Sequence, residues 1–285
     1  MINAMTVDVE DYFHVAALAD VIPRERWDQM EYRAESSTHR LLRLFDDSRI
    51  KATFFVLGWV AQRSPHLVRE IRAAGHEIAS HGWSHKLVYN QTPEEFRRET
   101  RDSKALLEDI TGERVAGYRA STYSITRRSL WALDVLCELG FEYDSSVFPI
   151  RHDLYGIPDA PVRPGVMKAP GGGSILEFPM STASFGGLRV PVSGGGYFRL
   201  LPYWLTRAGL KKLNDDEKRP FVFYLHPWEV DAGQPVVKAK LLSRIRHYTN
   251  LDRTEGRLRR LVGEFRFAPM REVLASLQLV QAKAA

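Results

Sequence analysis

Along the first half of the chain, short β-type runs alternate with helix-type segments, and the polar clusters collect where the β-type runs stop. Residues 4–9 (AMTVDV) and 52–57 (ATFFVL) are apolar runs suited to buried strands, and the stretch between them carries Leu41, Leu42, Leu44 and Phe45 of a helix. Ser64 followed by Pro65 opens a helix with Leu67, Val68 and Ile71, and Gly75 suits its C-terminal cap. Residues 76–80 resume as strand, and Thr92, Pro93, Glu94 and Glu95 make a capping box for a long helix with Phe96, Leu106, Leu107 and Ile110. Residues 114–119 read as strand, 126–139 as a helix stopped by Gly140, and 141–144 as a further strand. Strand then helix, repeated four times, implies parallel strands with helices outside, in a barrel or a doubly wound sheet. Both place their chemistry at the strand C-termini.

From 145 to 200 the pattern dissolves. This stretch holds ten of the 20 glycines and reads as loops and short strands inserted into the fold. Alternation returns with a helix over 203–213 and a strand over 221–225. The chain then closes in a basic segment, where Asp252 and Glu255 are the expected capping box of a helix burying Leu258, Leu261, Val262 and Phe265. Residues 1–235 are therefore expected to form one barrel domain with 145–200 as its insertion, and 236–285 a helical extension packed on the same domain.

Composition narrows the class. With 285 residues, 44 % of them apolar and 26 % charged, the chain has enough for a sizeable core and is not disordered. Its single cysteine, Cys137, excludes an internal disulfide, and the first eleven residues hold three carboxylates where a signal peptide needs a basic start and an apolar run. A reducing, cytoplasmic location is expected. The longest mainly apolar stretch, 54–61, is far below the ~20 residues of a membrane-spanning helix. The net charge of +5 is local, because residues 236–266 contain nine Lys and Arg against three Asp and Glu. Such a face suits a solvated helix, an anionic glycan, a lipid headgroup or a nucleic acid.

The unusual polar clusters carry the chemistry. Asp8, Glu10 and Asp11 gather three carboxylates at a buried strand end, which is costly unless a cation or an arginine compensates. His81 and His85, four apart after the strand ending at Ser80, have a spacing that lets both rings meet one metal. Two histidines and one carboxylate leave coordination positions open, the layout of a catalytic metal. Arg119 leaves a strand into a loop of small residues ending at Tyr123, Asp144 ends another strand, and His226 closes an apolar strand beside Trp228. His14, His39, His66 and His152 lie outside these clusters and are expected to be surface groups or satisfied polar contacts, while His76 is a candidate for support behind the metal ligands.

Taken together and in order, these five clusters, with ATFFVLG at 52–58 between the first two, resemble the polysaccharide deacetylase family, also called NodB-like or carbohydrate esterase family 4, over about residues 3–230. Residues 246–255 (RHYTNLDRTE) further resemble the subfamily found with bacterial exopolysaccharide and exosortase loci. The resemblance implies a distorted (β/α) barrel of about seven parallel strands, an α/β fold with a Gly/Pro-rich insertion and a basic C-terminal helical extension. It also implies metal-dependent hydrolysis of an N-acetyl group on an amino sugar of a bacterial exopolysaccharide or its lipid-linked precursor.

Members show two adjacent aspartates in the first motif, where this chain has Asp8 followed by valine. By analogy with branches that use Asp-x-Asp, Glu10 takes the ligand place and Asp8 the base, with Asp11 the competing ligand. Ala120 and Ser121 stand where a proline is usual. The implied roles are a divalent ion on His81, His85 and that carboxylate, zinc first with cobalt, nickel or manganese also suited, activating water for attack on the acetamide. Asp8 is the base and Arg119 orients it; a backbone N–H near Tyr123 meets the oxyanion, and His226 is the acid, its charge supported by Asp144. Trp83, Tyr123 and Trp228 are candidates for sugar stacking. The expected partner is an N-acetylated glycan, with no nucleic acid, and Arg257, Arg259 and Arg260 are candidates for peripheral contact with the anionic inner face of the membrane. A cyclic-amide hydrolase of allantoinase type and a non-catalytic glycan-binding or assembly protein are the alternatives.

Overall fold

In the computed structural model, which describes residues 1–279, the alternation becomes a mainly parallel sheet wrapped by helices. In chain order the strands are β1 (Ile2–Val9), β2 (Thr53–Val56), β3 (Glu77–Ser80), β4 (Gly117–Tyr118), β5 (Tyr143–Asp144), β6 (Gly165–Lys168), β7 (Ser174–Glu177), β8 (Thr182–Phe185), β9 (Leu188–Pro191), β10 (Val222–Leu225) and β11 (Arg266–Ala268). The helices are α1 (Ala34–Asp47), α2 (Gly58–Arg63), α3 (Pro65–Ala73), α4 (Pro93–Thr111), α5 (Ala132–Glu138), α6 (Gly195–Leu200), α7 (Tyr203–Asp215), α8 (Leu241–Tyr248), α9 (Leu251–Glu264) and α10 (Met270–Ser276). The main sheet runs β10-β1-β2-β3-β4-β5-β7-β6, with β11 also paired to β1. From β10 to β7 every pair is parallel, and β6 returns antiparallel at the edge.

Strand alternation sorts the side chains into two cores. Met5, Val7, Val9, Phe54 and Val56 point outward and pack with Leu41, Leu44 and Phe45 of α1 and Leu67, Val68 and Ile71 of α3. Ala4, Phe55, Ala79, Tyr143, Leu176 and Val222 point inward. The register then lines up the polar strand ends: Asp8 lies opposite Phe55, Ser80 opposite Tyr118, Tyr118 opposite Asp144, and Asp144 opposite Glu177.

Most of the expected caps over the first half are present, although Ser64, at the start of α3, makes no side-chain capping hydrogen bond. Gly75 and Gly140 adopt positive φ after α3 and α5, and Thr92 and Glu95 close a reciprocal capping box on α4. Other boundaries moved. The strand expected over 114–119 shrinks to Gly117–Tyr118. The helix expected from 126 starts only at Ala132, because Ser129 Oγ bonds the Ser124 carbonyl and Thr126 N–H, holding 124–129 in turns. At α9 the cap is Asn250 in a left-handed conformation, and Glu255 reaches forward to Arg259 instead of back to Asp252. The 145–200 stretch is more than inserted loops, since β7 joins the sheet beside β5. Likewise the C-terminal segment supplies β11 to the sheet and packs α10 against β1.

Candidate active site

At the C-terminal end of β1, alternation explains the departing motif. Thr6, Asp8 and Glu10 are two apart and share the inner face, whereas Val9 points into the outer core and Asp11 points away. Asp11 is a structural group: its carboxylate accepts the backbone N–H of Arg33 and of Ala34 at 2.6 Å each and of Tyr12 at 2.8 Å, anchoring the start of α1. Burial nonetheless pushes its pKa up to about 6. Of the two carboxylates left open as ligands, Glu10 is the one beside the histidines.

His81 and His85 reach Glu10 from the loop after β3. That loop is a tight turn and not a helix, with Gly82 and His85 both at positive φ, and its shape depends on a close approach of Trp83 to Gly58. A Cβ on residue 58 would lie 2.8 Å from the indole, so only glycine fits. One ligand atom from each of Glu10, His81 and His85 lies within 4.8 Å of the others, and His85 Nε2 is 2.6 Å from Glu10 Oε2. His81 Nδ1 sits 2.8 Å from the Arg119 carbonyl, an arrangement in which Nδ1–H donates and Nε2 keeps its lone pair. Burial lowers the His81 pKa to about 4, so the ring is neutral at pH 7. Burial would raise the Glu10 pKa, but the neighbouring His85 and His226 rings hold it well below the usual range. Two imidazoles and a carboxylate converging at this distance fit a divalent cation with coordination positions left for water or substrate.

Next to this cluster stands Asp8. Arg119, fully buried, donates from Nη1 to Asp8 Oδ1 at 2.7 Å and to Thr6 Oγ1 at 2.8 Å, from Nε to the Ser145 carbonyl at 3.1 Å, and from Nη2 to Ser145 Oγ at 3.0 Å. Close to both stands His226. Its Nε2 is 3.5 Å from Glu10 Oε1 and 4.0 Å from Asp8 Oδ2. Its Nδ1 is 3.0 Å from Glu229 Oε2. Burial opposes its charge, yet Glu10, Glu229 and Asp8 raise its pKa to about 9.

Several expectations are corrected. Asp144 does not support His226: it faces Glu177 and accepts the Ser146 hydroxyl, and burial pushes its pKa to about 6. The supporting carboxylate is Glu229, three residues after His226 in the same turn. The N–H of Tyr123 is engaged by the Ala120 carbonyl at 3.0 Å, and its ring is buried against Phe148, Tyr155 and Tyr224. Trp228 is 5 % exposed, stacks with His226 and His247, and donates Nε1–H to Glu10 Oε1 at 3.3 Å, so it is a wall and not an open sugar platform. Trp83 is half-buried over Gly58. His76 lies at the far end of β3, where Nδ1 accepts the Ala52 N–H. His14 is the polar contact of the two expected options: buried among Phe13, Trp27 and Trp59, its Nδ1 accepts the Asp11 N–H at 2.9 Å. Sequence reading missed Glu229, Arg199 and His247; the proline-led turn after His226 signals the first, an acid at the third position, and nothing in the pattern signals the others.

Residues 26–143 match the family model for polysaccharide deacetylase, and 145–275 match a domain of unknown function, DUF3473. Over 116 residues, 41 % of this chain and 39 % of the relative, the chain is 29 % identical to a peptidoglycan deacetylase of Helicobacter pylori. Over 71 residues, 25 % of this chain and 33 % of the relative, it is 34 % identical to a peptidoglycan-N-acetylglucosamine deacetylase of Bacillus cereus. The aligned stretches thus span only a third to two-fifths of these relatives. A crystal structure assigned to the polysaccharide deacetylases, from Mycobacterium smegmatis, shares the fold at a TM-score of 0.66 and 22 % identity, covering 100 % of this chain and 93 % of that one.

Proposed function

We propose that this chain, which carries a polysaccharide deacetylase domain over residues 26–143, hydrolyses the N-acetyl group of an amino sugar within a glycan. The observation that carries the reading is the gathering of the Asp8–Arg119 pair and of His226, whose Nε2 is 4.0 Å from Asp8 Oδ2 and 3.5 Å from Glu10 Oε1, beside the Glu10, His81 and His85 cluster. A divalent ion bound there, which we assign as zinc from the donor set, supplies Lewis acidity toward water and the amide oxygen. Asp8, held by Arg119, takes the proton of the attacking water. His226 gives a proton from Nε2 to the departing nitrogen, while Glu229 holds Nδ1. Arg119, locked by four hydrogen bonds, keeps Asp8 from turning toward the histidines. We further assign the glycan to an exopolysaccharide or its lipid-linked precursor, a reading supported by the resemblance of 246–255 to the exopolysaccharide-associated subfamily.

The test is acetate and free-amine release from N-acetylglucosamine oligomers, with zinc added and then removed by a chelator. Release that depends on the ion, and that disappears in His81→Ala and His85→Ala while both variants stay folded, is the expected result. Either variant retaining full activity overturns the assignment. The same assay separates the cyclic-amide and glycan-binding alternatives, neither of which frees acetate from an oligomer.

A further inference from the structure

The motif at 246–255 is not a tail. Its first residues lie directly behind His226, joined to it through a buried arginine. Arg199, 2 % exposed in α6, donates from Nε to Glu229 Oε1 at 2.6 Å, from Nη1 to the carbonyls of His247 at 2.8 Å and Thr249 at 3.1 Å, and from Nη2 to the carbonyl of Arg246 at 2.8 Å. The other Glu229 oxygen, Oε2, lies 3.0 Å from both the backbone N and the Nδ1 of His226. Asn250 returns the contact, donating Nδ2–H to the Arg199 carbonyl at 2.7 Å. A second line runs beside the first: the His247 ring stacks on Trp228 at 4.3 Å and 15°, and Trp228 stacks on His226 at 5.1 Å and 17°. His247 is itself fixed by Gln234, with Nε2 2.7 Å from Oε1.

We propose that Arg199 and residues 246–250 form a brace that positions His226, so that the second half of the chain aims the acid of a site whose metal ligands and base come from the first half. The physics lies in the guanidinium fork. A buried cation is tolerable only when most of its donors are filled, and here one carboxylate and three carbonyls take four of the five in fixed directions. A lysine ammonium, a point donor on a flexible stem, cannot reproduce that fork. Glu229, clamped on one oxygen by Arg199, cannot swing away from His226 on the other. With Nδ1 pinned and the ring face stacked, Nε2 is left as the nitrogen turned toward Glu10 and Asp8. Arg199 touches neither of those groups and is a positioning residue.

The activity arm of the test rests on the function proposed above; a spectroscopic arm does not. Long-range 1H–15N correlation spectra of the histidine rings, with the His226 signals identified by their loss in His226→Gln, report the ring's environment whether or not substrate is turned over. In Arg199→Met the His226 signals shift and broaden as the ring samples other orientations. Turnover on N-acetylglucosamine oligomers falls roughly 10- to 100-fold, the range seen when outer partners of site residues are removed, with KM within about twofold of wild type. Arg199→Lys lies between the two and carries the test if Arg199→Met does not fold. Unchanged His226 signals and unchanged kcat in a folded Arg199 variant overturn the brace. Absence of acetate release by the wild-type protein instead overturns the function, and the spectra still decide the brace.

Discussion

Two of the buried arginines, Arg119 and Arg199, come one from each half of the chain, and each holds a carboxylate near the same cluster. Arg119 grips Asp8 at 2.7 Å, and Arg199 grips Glu229 at 2.6 Å. The carboxylate of the first pair stands at the site itself; that of the second is one residue removed, behind His226. The remaining donors differ accordingly. Arg119 is tied to Thr6 and Ser145, neighbours in the strand layer, while Arg199 is tied to carbonyls at the junction of α8 and α9. The proposed base is thus held by the sheet, and the proposed acid by a wall built outside it.

The largest effect should come from the first pair. Asp8→Asn keeps the shape and the Arg119 hydrogen bond but removes the proton acceptor, so turnover should fall ~10²- to 10⁴-fold with metal still bound. Arg119→Met strands the carboxylate and should also cost about 3–5 kcal/mol of stability, because a buried charge loses its partner. Thermal melts beside acetate release separate the two. A variant of Asp8 that turns over normally would remove the base from this side of the site.

A smaller effect separates the two neighbouring carboxylates. Glu10→Gln should weaken metal binding in calorimetric titration, whereas Asp11→Asn should leave it unchanged and destabilise the fold by about 1 kcal/mol, the scale of a lost helix-capping acceptor. The reverse pattern would return the ligand role to Asp11.

Much of the first half was legible in the sequence because local rules decide it. Apolar strands, Gly75, Gly140 and the Thr92 capping box need no distant partner, and an arginine leaving a strand beside clustered acids already suggests Asp8–Arg119. The two-residue step from Asp8 to Glu10 was read by analogy, and strand alternation supplies its physical reason. The second half was opaque for the converse reason. Arg199 sits in a six-residue helix among glycines, and its partners lie 30, 47, 48 and 50 positions away, so no short-range pattern marks it. Asp144 misled because a strand-end acid looks catalytic until its cross-strand neighbour, Glu177, is seen.

That acid gives a pH test. Burial raises the Asp144 pKa from its ordinary 3.8 to about 6, so the folded state binds its proton more tightly than the unfolded state does. The stability this contributes is complete below about pH 4 and is lost as pH rises through about 6. Asp144→Asn should therefore flatten the fall in melting temperature between pH 4 and pH 6.5 while leaving most of the turnover intact. A steep loss of activity at unchanged stability would restore a catalytic part for Asp144.

The smallest effect concerns the basic surface of the second half. The three arginines that sequence analysis favours for a membrane are engaged within the protein: Arg257 donates to the carbonyls of Phe198, Arg199 and Leu201, Arg259 pairs with Asp47 and Glu255, and Arg260 with Glu264. Lys238, Arg244 and Arg246 are exposed, and between Asp231 and Asp252 the chain has no acidic residue. Exposed Leu241, Leu242 and Ile245 lie on the same helix or at its start, so an anionic bilayer meets both charge and apolar surface there. Each well-placed cation is worth about 1 kcal/mol near such a surface, roughly fivefold in binding. We therefore expect co-sedimentation with phosphatidylserine vesicles at low salt, weakened about fivefold by each of Lys238→Gln, Arg244→Gln and Arg246→Gln, and weakened in all cases by high salt, which screens over ~8 Å at physiological strength. Arg257→Gln should instead lower the melting temperature with vesicle binding little changed, because its charge is spent on carbonyls of the same wall that braces His226. Binding indifferent to salt and to these three cations would leave the segment with its structural role alone.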